Sequence, residues 1–303
     1  MYAGFARELL QLIRCPDDGA PLLLDAEGDG PVRCGTLTCD RCETVYPVEN
    51  GILNLLVHQD FDPVSAHEIK ARDEDAGNYH NYCTKIGDRK EIPSTLAMMA
   101  GVAGKRVVEL GCGTGRYSVR LGPEAAQFIG VDFSIHSLAI LAAALPAGGS
   151  TGLVLADATR FRTAKGHFDL VLCAQLLQHV PSRAMRDELY RNVAAQLRSG
   201  GVFVCNAYHY HLSLRLLRQA REGRHESGIF YHRFTRGELT DEIGCHLEVS
   251  SARPISIHLP FSGTLRLNDV WLSRKIESVP LVNALGALML VKAEKRQAAP
   301  KEN

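Results

Sequence analysis

The chain has 303 residues, 46% hydrophobic and 22% charged, enough for one large domain plus a small one, and this composition excludes disorder, collagen and a coiled coil as the main state. Lys and Arg total 34 against 34 Asp and Glu, so the chain lacks the basic surplus usual for a protein that lives on nucleic-acid phosphates. No apolar run reaches the roughly 18 residues of a membrane helix, and the longest candidate, Leu281 to Val291, is broken by Asn283 and Gly286.

Arg7 and Glu8 precede Leu9-Leu10 without the basic-then-apolar layout of an export signal. Five of the nine cysteines (Cys83, Cys112, Cys173, Cys205, Cys245) are scattered through apolar segments, as reduced thiols are. A cytoplasmic location with no membrane contact is the expectation. Residues 1–60 hold four Arg against ten acidic residues, a net of −6, and read as short strands around the turns Asp17-Asp18-Gly19 and Glu27–Pro31. Within them Cys15-Pro16-Asp17-Asp18 and Cys39-Asp40-Arg41-Cys42 have the spacing of two metal knuckles, with Asp18 where a second cysteine is usual. Cys15, Asp18, Cys39 and Cys42 are the candidate ligands of a structural zinc ion, and Cys34 is a spare. The alternative is a metal-free ribbon held by its own apolar contacts.

Residues 61–92 are polar, and the spacing over Ala66–Tyr82 suits a surface helix carrying Arg72, Tyr79 and Tyr82. From about residue 93 short apolar runs (Arg106–Leu110, Phe128–Asp132, Leu153–Asp157, Phe168–Cys173, Val202–Asn206) alternate with helical stretches such as Ser134–Leu145 and Ser182–Leu197. That alternation predicts an α/β fold with a parallel sheet covered on both faces. Pro181-Ser182 opens the last of these helices and Gly200-Gly201 closes it. The sharpest feature is Val107-Val108-Glu109-Leu110-Gly111-Cys112-Gly113-Thr114-Gly115, a strand entering a glycine-rich turn before a helix over Tyr117–Leu121. Glycines belong where the backbone bends sharply and a ligand approaches the main chain. Glu109 precedes the turn, and Asp132 and Asp157 end the next two strands. A dinucleotide fingerprint would read G-x-G-x-x-G, and an acid ahead of the loop would repel a pyrophosphate. Further on, residues 207–237 hold six Arg and two Glu, a net of +4, with four His. Arg215, Arg218 and Arg221 are spaced as on one helix face, and Thr235 is a capping candidate for a following helix. Strands near Leu247–Ser256 and Ala287–Ala293 would finish the sheet. An apolar helix over Leu265–Val279, with Trp271, could form part of a lid or the face of a homodimer.

The set around Glu109, Gly111, Gly113, Gly115, Asp132 and Asp157 resembles the class I S-adenosylmethionine-dependent methyltransferases, over roughly residues 95–206. The resemblance implies a Rossmann-like seven-stranded sheet over residues 61–303, with lid segments near 62–92 and 206–240. It implies that Glu109 faces the methionine amino group, that the glycine loop with Cys112 lies under the ligand, and that Asp132 bridges the ribose hydroxyls. Phe133 would pack on the adenine, Asp157-Ala158 would meet the adenine amino group, and Ala174-Gln175 would end the fourth strand beside the transferred methyl. Tyr82 would close over the cofactor. Residues 1–60, through Cys39–Leu56 above all, resemble the Trm112-like zinc ribbon.

The expected reaction is direct displacement of a methyl group from S-adenosylmethionine onto a small-molecule acceptor, with secondary metabolism or cofactor modification as its setting. His179 and His209, with His211 behind them, are the candidates for a general base, although His179 could equally order its loop. Arg72 could meet an acceptor carboxylate. A ribosomal-RNA base methyltransferase is the enzymatic alternative, which the acidic ribbon and neutral total oppose, so nucleic acid is not the expected partner. The other alternative is a non-catalytic protein that binds the cofactor and docks a partner.

Overall fold

The structure, a computed structural model, describes residues 2–57, 59–77, 85–257, 269–277, 279 and 284–296. Its elements in chain order begin with α1 (Arg7–Leu10), β1 (Ile13–Arg14), β2 (Leu22–Asp25), β3 (Gly35–Cys39), β4 (Val45–Glu49), β5 (Ile52–Asn54), α2 (Pro63–Asp75) and α3 (Lys85–Met99). Then come β6 (Arg106–Leu110), α4 (Ser118–Leu121), β7 (Gln127–Asp132), α5 (Ile135–Ala144), β8 (Ser150–Leu155), β9 (Arg162–Thr163), β10 (Phe168–Ala174) and a 3-10 turn at Leu177–His179. The rest is α6 (Arg183–Gln196), β11 (Leu197–Tyr208), α7 (Leu212–Leu216), β12 (Glu222–Arg224), β13 (Phe230–His232), α8 (Arg236–Gly244), β14 (Glu248–Ile255), α9 (Asp269–Ile276) and β15 (Leu288–Glu294).

One sheet of eleven strands organises the chain, in the order β14-β15-β11-β10-β6-β7-β8-β5-β4-β3-β2. From β8 to β11 the pairing is parallel, and β15 runs antiparallel between β11 and β14. The seven strands from β14 to β8 are the expected Rossmann-like sheet. Its central strands are buried on both faces, which is why they read as unbroken apolar runs.

The first 60 residues form short strands as expected, but they continue the large sheet. Strand β5 pairs in parallel with β8, Ile52 opposite Leu153 and Asn54 opposite Leu155. The Ala6 N–H donates to the Thr151 carbonyl at 2.9 Å and the Leu55 N–H to that of Leu155 at 2.8 Å. The Phe5 ring covers Gly152 so closely that a Cβ there would lie 2.4 Å from it. One buried cluster accordingly runs from Phe5, Leu37 and Tyr46 to Val108, Ile129 and Phe168.

The helix expected over Ala66–Tyr82 is found as α2. Pro63 occupies its first turn and the Asp62 carboxylate accepts from the Val64 and Ser65 amides; Tyr79, Tyr82 and Cys83 lie outside the described residues. Helix α3 has no counterpart in the sequence pattern. The helix expected through Arg215, Arg218 and Arg221 is corrected: α7 stops at Leu216, Arg218 adopts a φ of 51°, and the chain turns into the β12–β13 hairpin. Arg221 instead pairs with Glu238. Of the apolar helix expected over Leu265–Val279, the described part is α9, which ends at Ile276. Among the described residues no helix is long and apolar enough to cross a membrane.

Helices α6 and α8 are joined by a buried two-point ion pair. Arg186 donates through Nε to Glu242 Oε2 at 2.9 Å and through Nη2 to Oε1 at 2.7 Å, while its Nη1 donates to the Val180 carbonyl at 3.1 Å. Arg186→Ala would strand the Glu242 carboxylate and is expected to cost about 3–5 kcal/mol, whereas Arg186→Met with Glu242→Leu should stay close to the parent. Urea midpoints test this, and equal losses in the two variants would reject it.

Candidate active site

The parallel strands β8, β7, β6 and β10 end on one side, where the order reverses between β6 and β10. The crevice outside such a switch point is where open α/β sheets take ligands. After β6 the glycine-rich bend is tied to the end of β7. The Gly111 and Cys112 amides donate to the Val131 carbonyl at 2.8 and 3.0 Å, and the Gly113 amide donates to Asp132 Oδ2 at 2.8 Å. The other carboxylate oxygen accepts the Ser134 N–H at 2.9 Å. Gly113 has a φ of 51° and a Cβ there would enter open space, so the bend presents bare main chain. At Gly115 a Cβ would sit 2.5 Å from Leu141 of α5, so that glycine serves packing.

The cleft has two joined chambers. Gly111, Gly113, Asp132, Phe133, Ala174 and Gln175 border the first. Asp157 and Ala158 border the second, with Phe61, Ser65 and Ile69. Glu68, Phe133, Leu176 and His179 border both. Eight of the cofactor residues expected from the sequence therefore share one crevice. Glu109, Cys112 and Gly115 lie behind its wall. Glu109 is buried, accepts the Ser118 hydroxyl at 2.6 Å, and is pushed up to about 8, first by burial. The Cys112 side chain packs into a core beside Leu138 and Leu141. Tyr82 falls outside the described residues.

Helix α2 roofs the cleft. Its Asp73 Oδ1 accepts the Ser134 hydroxyl at 2.5 Å, and His67 Nε2 lies 3.0 Å from the Ser227 carbonyl of the hairpin. Glu68, which the sequence reading did not single out, is 6% exposed and 3.4 Å from Arg72. Burial pushes its carboxyl up to about 7, opposed by Arg72 and reinforced by Asp132 and Asp157.

His179 borders both chambers. Its Nδ1 lies 2.8 Å from the Phe230 carbonyl, an acceptor only, so the proton sits on Nδ1 and Nε2 keeps its lone pair, 3.4 Å from Gln178 Nε2. Burial, with Arg72 nearby, lowers it to about 3. His209 borders neither chamber; its Nδ1 donates to the Gly286 carbonyl at 2.8 Å.

The four candidate metal ligands Cys15, Asp18, Cys39 and Cys42 converge, their ligand atoms all within 4.8 Å of one another. Cys15 Sγ and Cys42 Sγ are 3.7 Å apart, and Cys39 Sγ is 3.6 Å from each Asp18 oxygen. A tetrahedral zinc ion with bonds of about 2.3 Å to sulfur needs edges of about 3.8 Å, so the donor set and its spacing suit that ion.

The raised Glu68 carboxyl fixes a direction with pH. A group whose folded pKa is raised contributes stability that is complete below its unfolded value of about 4.5 and is lost as pH rises through about 7. Glu68→Gln should therefore unfold at about the parent's temperature at pH 5 and at a higher one at pH 8.5. Thermal unfolding of the ligand-free protein decides it, and equal effects at both pH values would reject it.

Comparison with known proteins agrees with this geometry. Residues 107–201 match the family model described as a methyltransferase domain, and residues 6–51 match that of Trm112p-like proteins. A ubiquinone biosynthesis O-methyltransferase of Aromatoleum aromaticum is 37% identical over 87 residues, covering 28% of this chain and 37% of that protein. One of Vibrio cholerae is 27% identical over 181 residues, 56% of this chain and 71% of the other. The chain thus spans well under two thirds of the first of these relatives. Among solved structures, an S-adenosylmethionine-dependent methyltransferase of Mesorhizobium loti superposes with a TM-score of 0.51 at 23% identity, over 67% of this chain and 97% of that one. A chain from the complex containing the Haloferax volcanii Trm112 methyltransferase activator superposes at 0.54 and 18% identity, over 78% and 99%. The chain has a Rossmann-like fold, within which residues 107–201 are similar to methyltransferase domains and residues 6–51 to Trm112p-like proteins.

Proposed function

We propose that the protein transfers the methyl group of S-adenosylmethionine to an oxygen of a small-molecule acceptor. The observation that carries this reading is the acid-bordered cleft: Glu68, Asp75, Asp132 and Asp157 line it against Arg72, at the tips of the parallel strands. Such a border suits a ligand bearing an ammonium and a sulfonium, and disfavours a polyphosphate or an RNA strand. The O-methyltransferase names of the sequence relatives support an oxygen acceptor.

Asp132 keeps acceptor capacity on both oxygens after taking one amide each, enough for two vicinal hydroxyls. Phe133 and Ala158 offer apolar walls to the adenine, and Asp157 an acceptor for its amino group. Gly111, Gly113, Ala174 and Gln175 surround the methionine end. Glu109 braces the bend from beneath through Ser118. The bound donor supplies an already activated methyl group, which leaves the chain to align the acceptor and exclude water. His179 is neutral before the transfer, adding no positive charge beside a cationic donor. Its Nε2 can accept the acceptor's hydroxyl proton in place of the Gln178 contact. His209 has no part in this scheme, because it faces neither chamber.

Cys15, Asp18, Cys39 and Cys42 hold a structural zinc ion in this reading. The ion would fasten the turns that precede β2 and follow β3.

Calorimetry should detect S-adenosylhomocysteine binding to the purified chain, and Asp132→Ala should weaken it by about 1–3 kcal/mol, since two hydroxyls lose a charged partner. Folded protein giving no heat would overturn the reading. His179→Gln should lower kcat on the order of a hundredfold while leaving S-adenosylhomocysteine affinity nearly unchanged; an undiminished kcat removes the proposed base. Metal analysis after zinc-replete expression should find one zinc per chain, falling on Asp18→Ala, and zinc-free folded protein would dismiss the ion.

A further inference from the structure

We infer that Glu91, on helix α3, is a positioning residue that sets the methionine end of the cofactor cleft, an inference that rests on the function proposed above. The Glu91 carboxylate is buried and both its oxygens are fully engaged. Oε1 accepts the Tyr117 hydroxyl at 2.9 Å and Asn206 Nδ2 at 3.1 Å. Oε2 accepts Arg116 Nη2 at 2.8 Å and also Gln175 Nε2. Of the side chains of this size, only a carboxylate offers four acceptor positions and no donor.

The donors come from the three segments that build one end of the cleft. Arg116 and Tyr117 follow the glycine-rich bend, Gln175 follows the tip of β10, and Asn206 lies near the end of β11. Gln175 borders the first chamber with a φ of 52°, a left-handed conformation uncommon outside glycine. A residue in that region persists only where its surroundings over-determine it. Here the Gln175 N–H donates to both the main-chain and side-chain oxygens of Asn206, each at 3.0 Å. Asn206 is in turn anchored by donating to Glu91 and, at 3.2 Å, to the Thr95 hydroxyl. Glu91 thus acts on Gln175 twice, directly and through Asn206. Its hold on Arg116 is shared with Asp88 at 2.5 Å. None of these donors belongs to the Asp157–Ala158 chamber, so the effect of Glu91 is confined to one end of the ligand.

Two ligands separate the ends: S-adenosylhomocysteine, and 5′-deoxy-5′-methylthioadenosine, which lacks the amino-acid portion. Glu91→Gln keeps the size but turns an NH2 group toward two of the donors. By calorimetry, E91Q should bind S-adenosylhomocysteine about tenfold or more weakly, the loss expected for bonds to a charged group, with methylthioadenosine unchanged within about twofold. Tyr117→Phe, which removes one donor and leaves the pocket shape, should show the same preference at smaller size. Equal weakening of both ligands by E91Q, or no change in either, would overturn the inference; should E91Q not fold, an unchanged ligand ratio in Y117F overturns it. Parent protein that binds neither ligand would instead refute the function proposed above.

Discussion

The site depends on a main-chain clamp between the bend after β6 and the end of β7. Three consecutive amides, those of Gly111, Cys112 and Gly113, all spend their protons on Val131 and Asp132. That arrangement needs residues with no Cβ where the bend turns back, and it holds the Asp132 carboxylate at the rim of the crevice. Ser134 and Asp73 extend the same network to the roof helix, so the floor and the cover of the cleft are joined through two acids bridged by one serine. A side chain at Gly113 would not strain its neighbours by contact; it would project into the open crevice.

Charge within the crevice follows from burial. Glu68 and Glu109 are both raised because water is withheld from them, and Asp132 is raised for the same reason, although the Ser134 and Gly113 amides oppose it. His179 moves the other way, losing its proton to the same dry surroundings and to the Arg72 charge. The raised Glu68 and the lowered His179, which both border it, leave the crevice with reduced charge when it is empty. A cation entering it would favour ionisation of the carboxyls and leave the imidazole as it is. The cleft is therefore matched to a positive ligand through groups that can release protons, without carrying the full repulsion of clustered carboxylates beforehand.

Much of this was legible in the sequence because it is local. The bend declares itself by glycine spacing, and Asp132 and Asp157 stand where apolar runs stop. The candidate metal knuckles likewise were fixed by spacing of a few residues. What was not legible is long-range or masked by composition. Helix α3 carries Pro93 within it and has a polar start, so neither periodicity nor propensity marks it, and Glu91 stayed hidden with it. Glu68 looks like one more charge on a surface helix until the chain folds it over Asp132. The arginines after Leu212 have helical spacing, yet Tyr210 and Glu238 draw Arg221 away into a hairpin. The histidine pair split for a comparable reason: His179 meets the crevice, whereas His209 is turned to Gly286.

The joining of β5 to β8 is also invisible locally, since Ile52 and Leu153 are about a hundred residues apart. Its consequence concerns assembly. The rim of β8 is occupied by a stretch of its own polypeptide, so a separate protein cannot add a strand there without first displacing a tethered competitor. Tethering makes that occupancy a first-order event, insensitive to dilution and to the supply of any second gene product.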